Sequence, residues 1–561
     1  MRTRSAHPRR GLLPLAVVLG LLWLVGYPLL LTLLEALEVV GPVGTELGFT
    51  TEHFREFASR GDEWLALWRS VWISIASVVL AGLVGIPLAF VFERMDFPGR
   101  RTLGALVALP VALPPLVGVI AFLFLYGESG FVSRLLQMVL RLDEAPWSLQ
   151  GAGAILLVHT YSMYVYFYLF VRAGLSRMDR SVEEAAWTLG ASRTRCLWCV
   201  VMPQLRTALL GASLLTFMTS LGSFSAPYIF GGGFRVMTTQ IVASKVSGSD
   251  AIAQVEAMVL AAVALVALWA IRRLQGPDSV AQGQHGVAPR RRRVKRPWVR
   301  WASAAAGWSL AVFLLLPHLT LLLISFVPIG TWTTELMPPT LSTVNYAELF
   351  SQTERLRPML NSLWMATAAS VAAVMLGFVA ARQSLLVGGR TGAILEGLVA
   401  LPWAIPGTVF AVALGTAFSV DAPYFGRFVW VGTSVILPLA YLVRCLPITG
   451  RSALTGLSQL DPALEEAAEV LGASRGRTLW KVVLPVVRPA LFAGLGLAFI
   501  TALGDFVTSI VLYTFSTRPI SIEINSALRV QEFGVAAAYG VLLMVLSALA
   551  FLAWGRGEKV A

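Results

Sequence analysis

The chain has 561 residues, 57% of them hydrophobic and only 13% charged, with a mean hydropathy of +0.73, whereas soluble globular proteins carry roughly a quarter charged residues. Water is therefore not its main solvent, and no soluble domain of ordinary size fits between its apolar runs. The net charge of +13 would suit a nucleic-acid partner, but Lys and Arg gather at the ends of apolar runs and in short connections, the distribution that orients a membrane protein.

At the amino end, Arg2, Arg4, Arg9 and Arg10 precede an apolar stretch from Gly11 to Leu34. It is too long for a signal-peptide core and lacks a small-x-small cleavage site, so it reads as an uncleaved first span that starts in the cytoplasm. Apolar windows of about twenty residues, the length that crosses a bilayer as a helix, then recur along the chain. They predict twelve spans at 11–34, 67–92, 103–126, 151–171, 205–227, 252–271, 301–327, 361–381, 393–418, 429–448, 489–513 and 533–554. The expected fold is an all-α polytopic membrane protein of two homologous six-helix halves, 1–271 and 301–561. An even number of spans in each half returns both termini to the cytoplasm.

Charge on the long connections supports that orientation. Between the first two spans lie Glu35, Glu38, Glu46, Glu52, Glu56, Asp62 and Glu63, opposed only by Arg55 and Arg60. Between the halves, 272–300 carries nine Lys and Arg against the lone Asp278, with Gly and Pro throughout. Positive charge belongs inside, so this segment reads as a flexible cytoplasmic linker. Its run from Arg290 to Arg296 suits anionic lipid heads better than nucleic acid.

The chain repeats itself. Ser70-Val71-Trp72 answers to Ser362-Leu363-Trp364, and Leu109-Pro110 to Leu401-Pro402, both displaced by 292. Further on, Leu189-Gly190-Ala191-Ser192-Arg193 answers to Leu471-Gly472-Ala473-Ser474-Arg475, and Leu221-Gly222-Ser223-Phe224 to Leu503-Gly504-Asp505-Phe506, displaced by 282. The ten residues are lost where the first half has the longer outer connection, 127–150, and loop length is thermodynamically cheap. Two copies running in the same direction imply an axis along the membrane normal, with a pathway between the halves.

Two polar loops interrupt the spans, 179–203 and 461–485. Each holds Glu-Glu-Ala-Ala (Glu183, Glu184, Ala185, Ala186; Glu465, Glu466, Ala467, Ala468), then Gly190 or Gly472, then Pro203 or Pro485. The spacing suits a short docking helix: Asp179 or Asp461 as N-cap, Pro462 in the first turn, glutamates near the positive helix end, alanines as a low-relief surface, and glycine as the left-handed stop. An amphipathic pair lying on the bilayer without a partner is the plainer alternative. Two copies with the whole spacing kept argue against it. Cys196 and Cys199 fall inside the first loop, but zinc needs four ligands and no second pair completes a set, so they read as packing residues and no metal site is expected.

On these loops the sequence resembles the inner-membrane permeases of binding-protein-dependent ATP-binding-cassette importers, over nearly its whole length, with Val482-Val483-Leu484-Pro485 matching the family's loop ending more closely than Val200-Val201-Met202-Pro203. The resemblance implies the type I importer fold and a bacterial inner-membrane location. It implies two copies of a separate ATPase subunit, with Glu184 and Glu466 pairing to a basic residue there, and a substrate-binding protein on the outer side. No phosphate-binding loop of the form Gly-x-x-x-x-Gly-Lys-Ser/Thr occurs, so ATP and magnesium are expected on the partner, with no cofactor and no enzymatic activity in this chain. The fused halves and the stretch Gly222–Gly231 with Gly504-Asp505-Phe506 resemble iron(III) permeases, with thiamine, polyamine and phosphonate as alternatives. Other classes are an ion-coupled secondary transporter, which needs ionisable residues clustered at mid-membrane, and a scaffold, which has no reason to repeat the loops.

Ionisable groups inside spans are functional candidates because burying them is costly. Asp505, its partner position Ser223, and His159 with Tyr161, Tyr164, Tyr166 and Tyr168 nearby are the candidates for a translocation pathway; a packed histidine beside interfacial aromatics is the plainer alternative. Arg444 and His318 sit near span ends, where snorkelling accounts for them.

Overall fold

A computed structural model describes residues 12–40, 46–108, 110, 114–275, 292–293, 296–332, 335–419 and 429–555. The arginines ahead of the first span and most of the basic linker run lie outside these residues.

The described residues are helical almost throughout, apart from two minor ribbons: Glu38–Val40 with Glu46–Phe49, and Met95–Asp96 with Arg292–Arg293. In lipid this is required, because backbone N–H and C=O groups find no water and must pair within the helix. Among the described residues nine helices are long and apolar enough to cross a membrane, and up to eleven if each of two bent pairs is one span. The bent pairs are Arg193–Gln204 with Arg206–Leu221, at 65°, and Gly389–Ala404 with Gly407–Ala417, at 108°. This falls one short of the twelve expected. The tenth expected span, 429–448, is a helix at Ile436–Ser458, but Arg444 and Arg451 keep it below the apolar character of the rest.

Contacts divide the chain into two compact units that do not follow the sequence halves. One comprises 61–240 and 260–341; the other comprises 1–60, 241–259 and 342–561. Each is built on a long helix crossed by a second one: Gly61–Arg94 on Gly151–Arg177, and Thr353–Val387 on Ile436–Ser458. Without a hydrophobic drive between helices in lipid, small residues supply the contact by letting backbones approach. Ser77, Ala81, Gly85 and Ala89 form such a stripe, as do Ser362, Ala366, Ala369, Ala373, Gly377 and Ala380. A Cβ at Gly85 would stand 2.3 Å from the Tyr164 carbonyl oxygen, and one at Gly377 would stand 2.8 Å from the Gly450 nitrogen.

The first helix of each half packs outside its own half. Leu12–Glu35 lies on Gly389–Ala404 and Gly407–Ala417, with Trp23 edge-on to Phe418 at 5.5 Å. Pro297–Ile324 lies on Arg100–Ala108 and Pro115–Tyr126, and its Leu314 carbonyl accepts from the Tyr161 hydroxyl at 2.6 Å. The repeat therefore divides the chain at 272–300, and packing divides it elsewhere.

Gly85→Val is expected to cost about 2 kcal/mol or more by overpacking, read as a lower unfolding midpoint of the detergent-solubilised chain. Gly118→Val, where nothing lies within 4 Å of a Cβ, is expected to change it by less than about 0.5 kcal/mol; equal losses in both would contradict the close-approach argument.

Candidate functional site: twin surface loops and the polar groups inside the spans

The two loops fold alike, residue for residue. Helices Arg180–Thr188 and Pro462–Val470 open under Asp179 and Asp461, whose carboxylates accept from Ser181 N at 2.9 Å and Ala463 N at 3.0 Å. Both end on a left-handed glycine, Gly190 at φ +82° and Gly472 at φ +78°. Behind each glycine the chain turns back: Ala191 N donates to Ala186 O and Ala473 N to Ala468 O, both at 2.9 Å. Those bonds satisfy carbonyls that a helix end leaves orphaned. A second cap follows at Ser192 and Ser474, and then a single π-helical turn, Leu197–Val201 or Leu479–Val483, runs into the proline.

What fixes each helix to its unit is an ion pair from the first glutamate. Arg94, the last residue of Gly61–Arg94, grips Glu183 with both guanidinium nitrogens, Nη1 to Oε2 at 3.1 Å. Arg382 on Thr353–Val387 grips Glu465 with Nη2 to Oε2 at 3.1 Å and Nη1 to Oε1 at 3.4 Å. Two-pronged pairing fixes orientation as well as distance. The arginines are displaced by 288, four less than Ser70 and Ser362 on the same helices, so the second pair is made from about one helical turn earlier. Such a shift hides the correspondence from a residue-by-residue comparison.

With the first glutamate turned inward, the second faces out. Glu184 and Glu466 are exposed, as are Ala185 and Ala467, while Ala186 is half-buried and Ala468 buried. Beside them stand apolar side chains that a water-facing loop has no reason to expose: Leu189 is 88% and Leu471 85% exposed, and Trp198 and Trp480 are largely exposed. Both pairs obey the 282 displacement. Pro203 and Pro485 are exposed where the chain returns toward the spans. The sequence reading paired Leu189 with Leu471 without giving them a role, and it missed Trp198 and Trp480, although extending the repeat comparison along the loop would have found them.

Inside the spans the structure brings His159 and Ser223 together. His159 is buried, with Nε2 at 2.9 Å from Ser223 Oγ and Nδ1 at 2.9 Å from Ser77 Oγ and 3.1 Å from Ser220 Oγ. Three of the four tyrosines expected near it spend their hydroxyls on backbone: Tyr164 donates to Val107 O and Tyr168 to Gly104 O, as Tyr161 does to Leu314 O, while Tyr166 pairs with the Thr219 side chain. Phenols committed in this way pack helices and are not set out as ligands along a path. Asp505 takes the position equivalent to Ser223 in the other unit. Its carboxylate caps helix Val507–Leu512 by accepting from Thr508 N at 2.8 Å, and it pairs with Arg444 at 3.2 Å. Arg444 therefore does not snorkel; it neutralises the one carboxylate of that segment. Gly407 makes room for it, since a Cβ there would stand 1.9 Å from Arg444 Nη1. His318 likewise turns inward, its Nδ1 3.1 Å from Leu314 O. Among the described residues no group of three or more His, Cys, Asp and Glu side chains is arranged to hold a metal ion.

Comparison with known proteins agrees with this architecture. The family model described as "Binding-protein-dependent transport system inner membrane component" matches residues 63–275 and 373–555. The "Probable ABC transporter permease protein y4fN" of Sinorhizobium fredii is 29% identical over 490 residues, covering 86% of this chain and 85% of that one. The "Ferric transport system permease protein FbpB" of Actinobacillus pleuropneumoniae is 29% identical over 496 residues, covering 86% of this chain and 71% of the relative. The "Molybdenum transport system permease protein ModB" of Mycobacterium tuberculosis is 32% identical over 208 residues, covering 36% of this chain and 76% of the relative.

If the ion pairs hold the loop helices, Arg94→Ala is expected to speed amide exchange over 180–188 while leaving 462–470 unchanged. A double-mutant cycle of Arg94→Ala with Glu183→Ala is expected to give a coupling of about 1 kcal/mol for so partly exposed a pair. Unchanged exchange in the first loop would show that the helix is held by something else.

Proposed function

The chain belongs to the family of binding-protein-dependent transport system inner membrane components, and from that premise we propose that it supplies both halves of an import pathway and draws its driving force through the two loops. It is a membrane permease subunit of an ABC-type importer, a family whose ATPase activity resides on a separate partner. The observation that carries the mechanism is the twin construction of the loops. Each is a short, doubly capped helix, ion-paired inward through one glutamate and presenting outward a glutamate, an alanine and a largely exposed leucine.

The chemistry of that surface suits a protein groove. Leu189 and Leu471 gain free energy only when something covers them, and the exposed Glu184 and Glu466 add charge that a basic residue on the ATPase complements. Because Arg94 and Arg382 sit on the long helices that run back along the spans, a displacement of either loop passes directly to those helices. ATP-driven approach of two ATPase subunits then moves the loops as levers, and the pathway alternates between outward-facing and inward-facing states. In this reading the loops and both termini are cytoplasmic, the membrane is the bacterial inner membrane, and a binding protein delivers cargo from the outer side.

For the cargo we propose iron(III). The support is that the ferric relative aligns across both halves, over 86% of this chain, whereas the molybdenum relative aligns over 36%. His159, Ser223 and Asp505 are assigned to the pathway in this reading. His159 and Asp505 are uncommon polar groups to bury in a span, and Ser223 bonds to the first and occupies the position equivalent to the second.

Glu184→Lys together with Glu466→Lys is expected to abolish co-purification with the ATPase subunit and ATP-dependent uptake, while the chain still reaches the membrane. Intact complex and uptake would refute the docking role. The cargo is tested separately, by metal analysis and calorimetry on the binding protein encoded beside this chain: tight iron(III) binding is expected, and a protein that instead holds molybdate, sulfate or thiamine would overturn the iron assignment.

A further inference from the structure

One feature of the first half differs in chemistry from its counterpart in the second and has no part in the docking reading. Phe92, Arg100, Gly104, Ala105, Ala108 and Arg172 line a cavity of about 330 Å³. At the displacements of 292 and 282, Gly104, Ala108 and Arg172 correspond to Glu396, Ala400 and Leu454. Those three line a cavity of only about 50 Å³ in the other unit. The repeat has kept the hollow and changed its chemistry, so the chemistry is not demanded by the shared fold.

The larger cavity is electropositive. Two guanidiniums border it, and Glu93 binds one of them, Arg172, through Nε at 3.0 Å. Arg172 Nη1 donates to the Tyr168 hydroxyl at 3.1 Å, and among the described residues no acceptor meets its Nη2. Arg100 is anchored by donating to the Phe92 carbonyl, which points its charge at the same hollow. Gly104 keeps the floor open, since a Cβ there would come within 3.3 Å of the Tyr168 hydroxyl and 3.7 Å of Arg172 Nη1. All the charged groups sit at or near helix ends: Glu93 near the close of Gly61–Arg94, Arg100 at the start of Arg100–Ala108, and Arg172 in the last turns of Gly151–Arg177. Ends of spanning helices are where a chain meets the headgroup region rather than the acyl chains.

We propose that this cavity is a binding site for a phosphate-bearing anion, held by Arg172 and Arg100, with the headgroup of an anionic phospholipid or a soluble phosphate as its source. A planar guanidinium with spare donors matches phosphate geometry better than any other side chain, and basic hollows between spanning helices at the membrane surface are where anionic headgroups collect. The smaller cavity of the other unit cannot substitute, because Glu396 offsets Arg451 in its lining and Leu454 stands where Arg172 does. The site is therefore one-sided, and its occupant acts on only one of the two loops, through Glu93 and its chain neighbour Arg94.

The test uses the full chain purified in detergent, without ATPase or nucleotide, so that its failure leaves the importer reading untouched. Binding of short-chain phosphatidylglycerol is compared with phosphatidylcholine of the same chain length, and with inorganic phosphate as competitor. Phosphatidylglycerol is expected to bind roughly tenfold more tightly, the scale of one charge-assisted pair. Arg172→Leu, which copies the second half, and Gly104→Leu, which fills the hollow and keeps both arginines, are each expected to remove that preference. Leu454→Ala is expected to keep it. Competition by millimolar phosphate assigns the site to the phosphate group itself and admits a soluble occupant; resistance to it assigns the lipid headgroup. Equal affinity for the two lipids together with no phosphate binding, or a preference surviving Gly104→Leu in a folded protein, would overturn the proposal.

Discussion

Two arginines reaching back to two glutamates hold the loops in the attitude on which the proposed function depends. Without Arg94 on Glu183 and Arg382 on Glu465, nothing on a nine-residue helix would decide which of two adjacent glutamates turns in and which turns out. Caps and glycine stops set where each helix begins and ends. The ion pairs set how it is rotated, and rotation decides that Glu184, Glu466 and the exposed leucines form one outward surface. The same pairs join each loop to a helix of more than thirty residues, so the loop is mechanically an extension of its span.

The groups buried among the spans obey a stricter economy. A charge there is costly unless neutralised and hydrogen-bonded, and the two units meet that demand differently at equivalent positions. One uses a neutral cluster, His159 among Ser77, Ser220 and Ser223. The other uses Asp505 locked to Arg444 and to the start of a short helix. The ion pair also accounts for Ile436–Ser458, a helix less apolar than the other expected spans, since Arg444 is neutralised by Asp505. A repeat that preserves shape while exchanging a neutral solution for an ionic one is chemically asymmetric at equivalent positions, and the one-sided arginine cavity shows the same asymmetry near the helix ends.

Packing within each unit rests on backbone proximity. Gly85 and Gly377 let the long helix touch its crossing partner at distances that no side chain permits. Each unit then takes in the first helix of the opposite sequence half. This explains why Trp23 finds its aromatic partners near residue 420 and Tyr161 its acceptor at Leu314.

The sequence by itself determined the membrane setting, nearly all the spans, the repeat and both loops, down to Asp179, Asp461, Gly190 and Gly472. These are matters of local chemistry: apolar run length, capping hydrogen bonds and left-handed backbone are decided within a few neighbours. Only the tertiary structure decided which glutamate each arginine takes, that Arg444 belongs to Asp505, that Tyr161, Tyr164 and Tyr168 are committed to carbonyls, and that the first helices change places. Those outcomes join residues from 57 to 395 positions apart, and a side chain's partner at that range depends on how helices cross. The crossing, in turn, depends on which small residues happen to face each other, and no window of sequence contains that information.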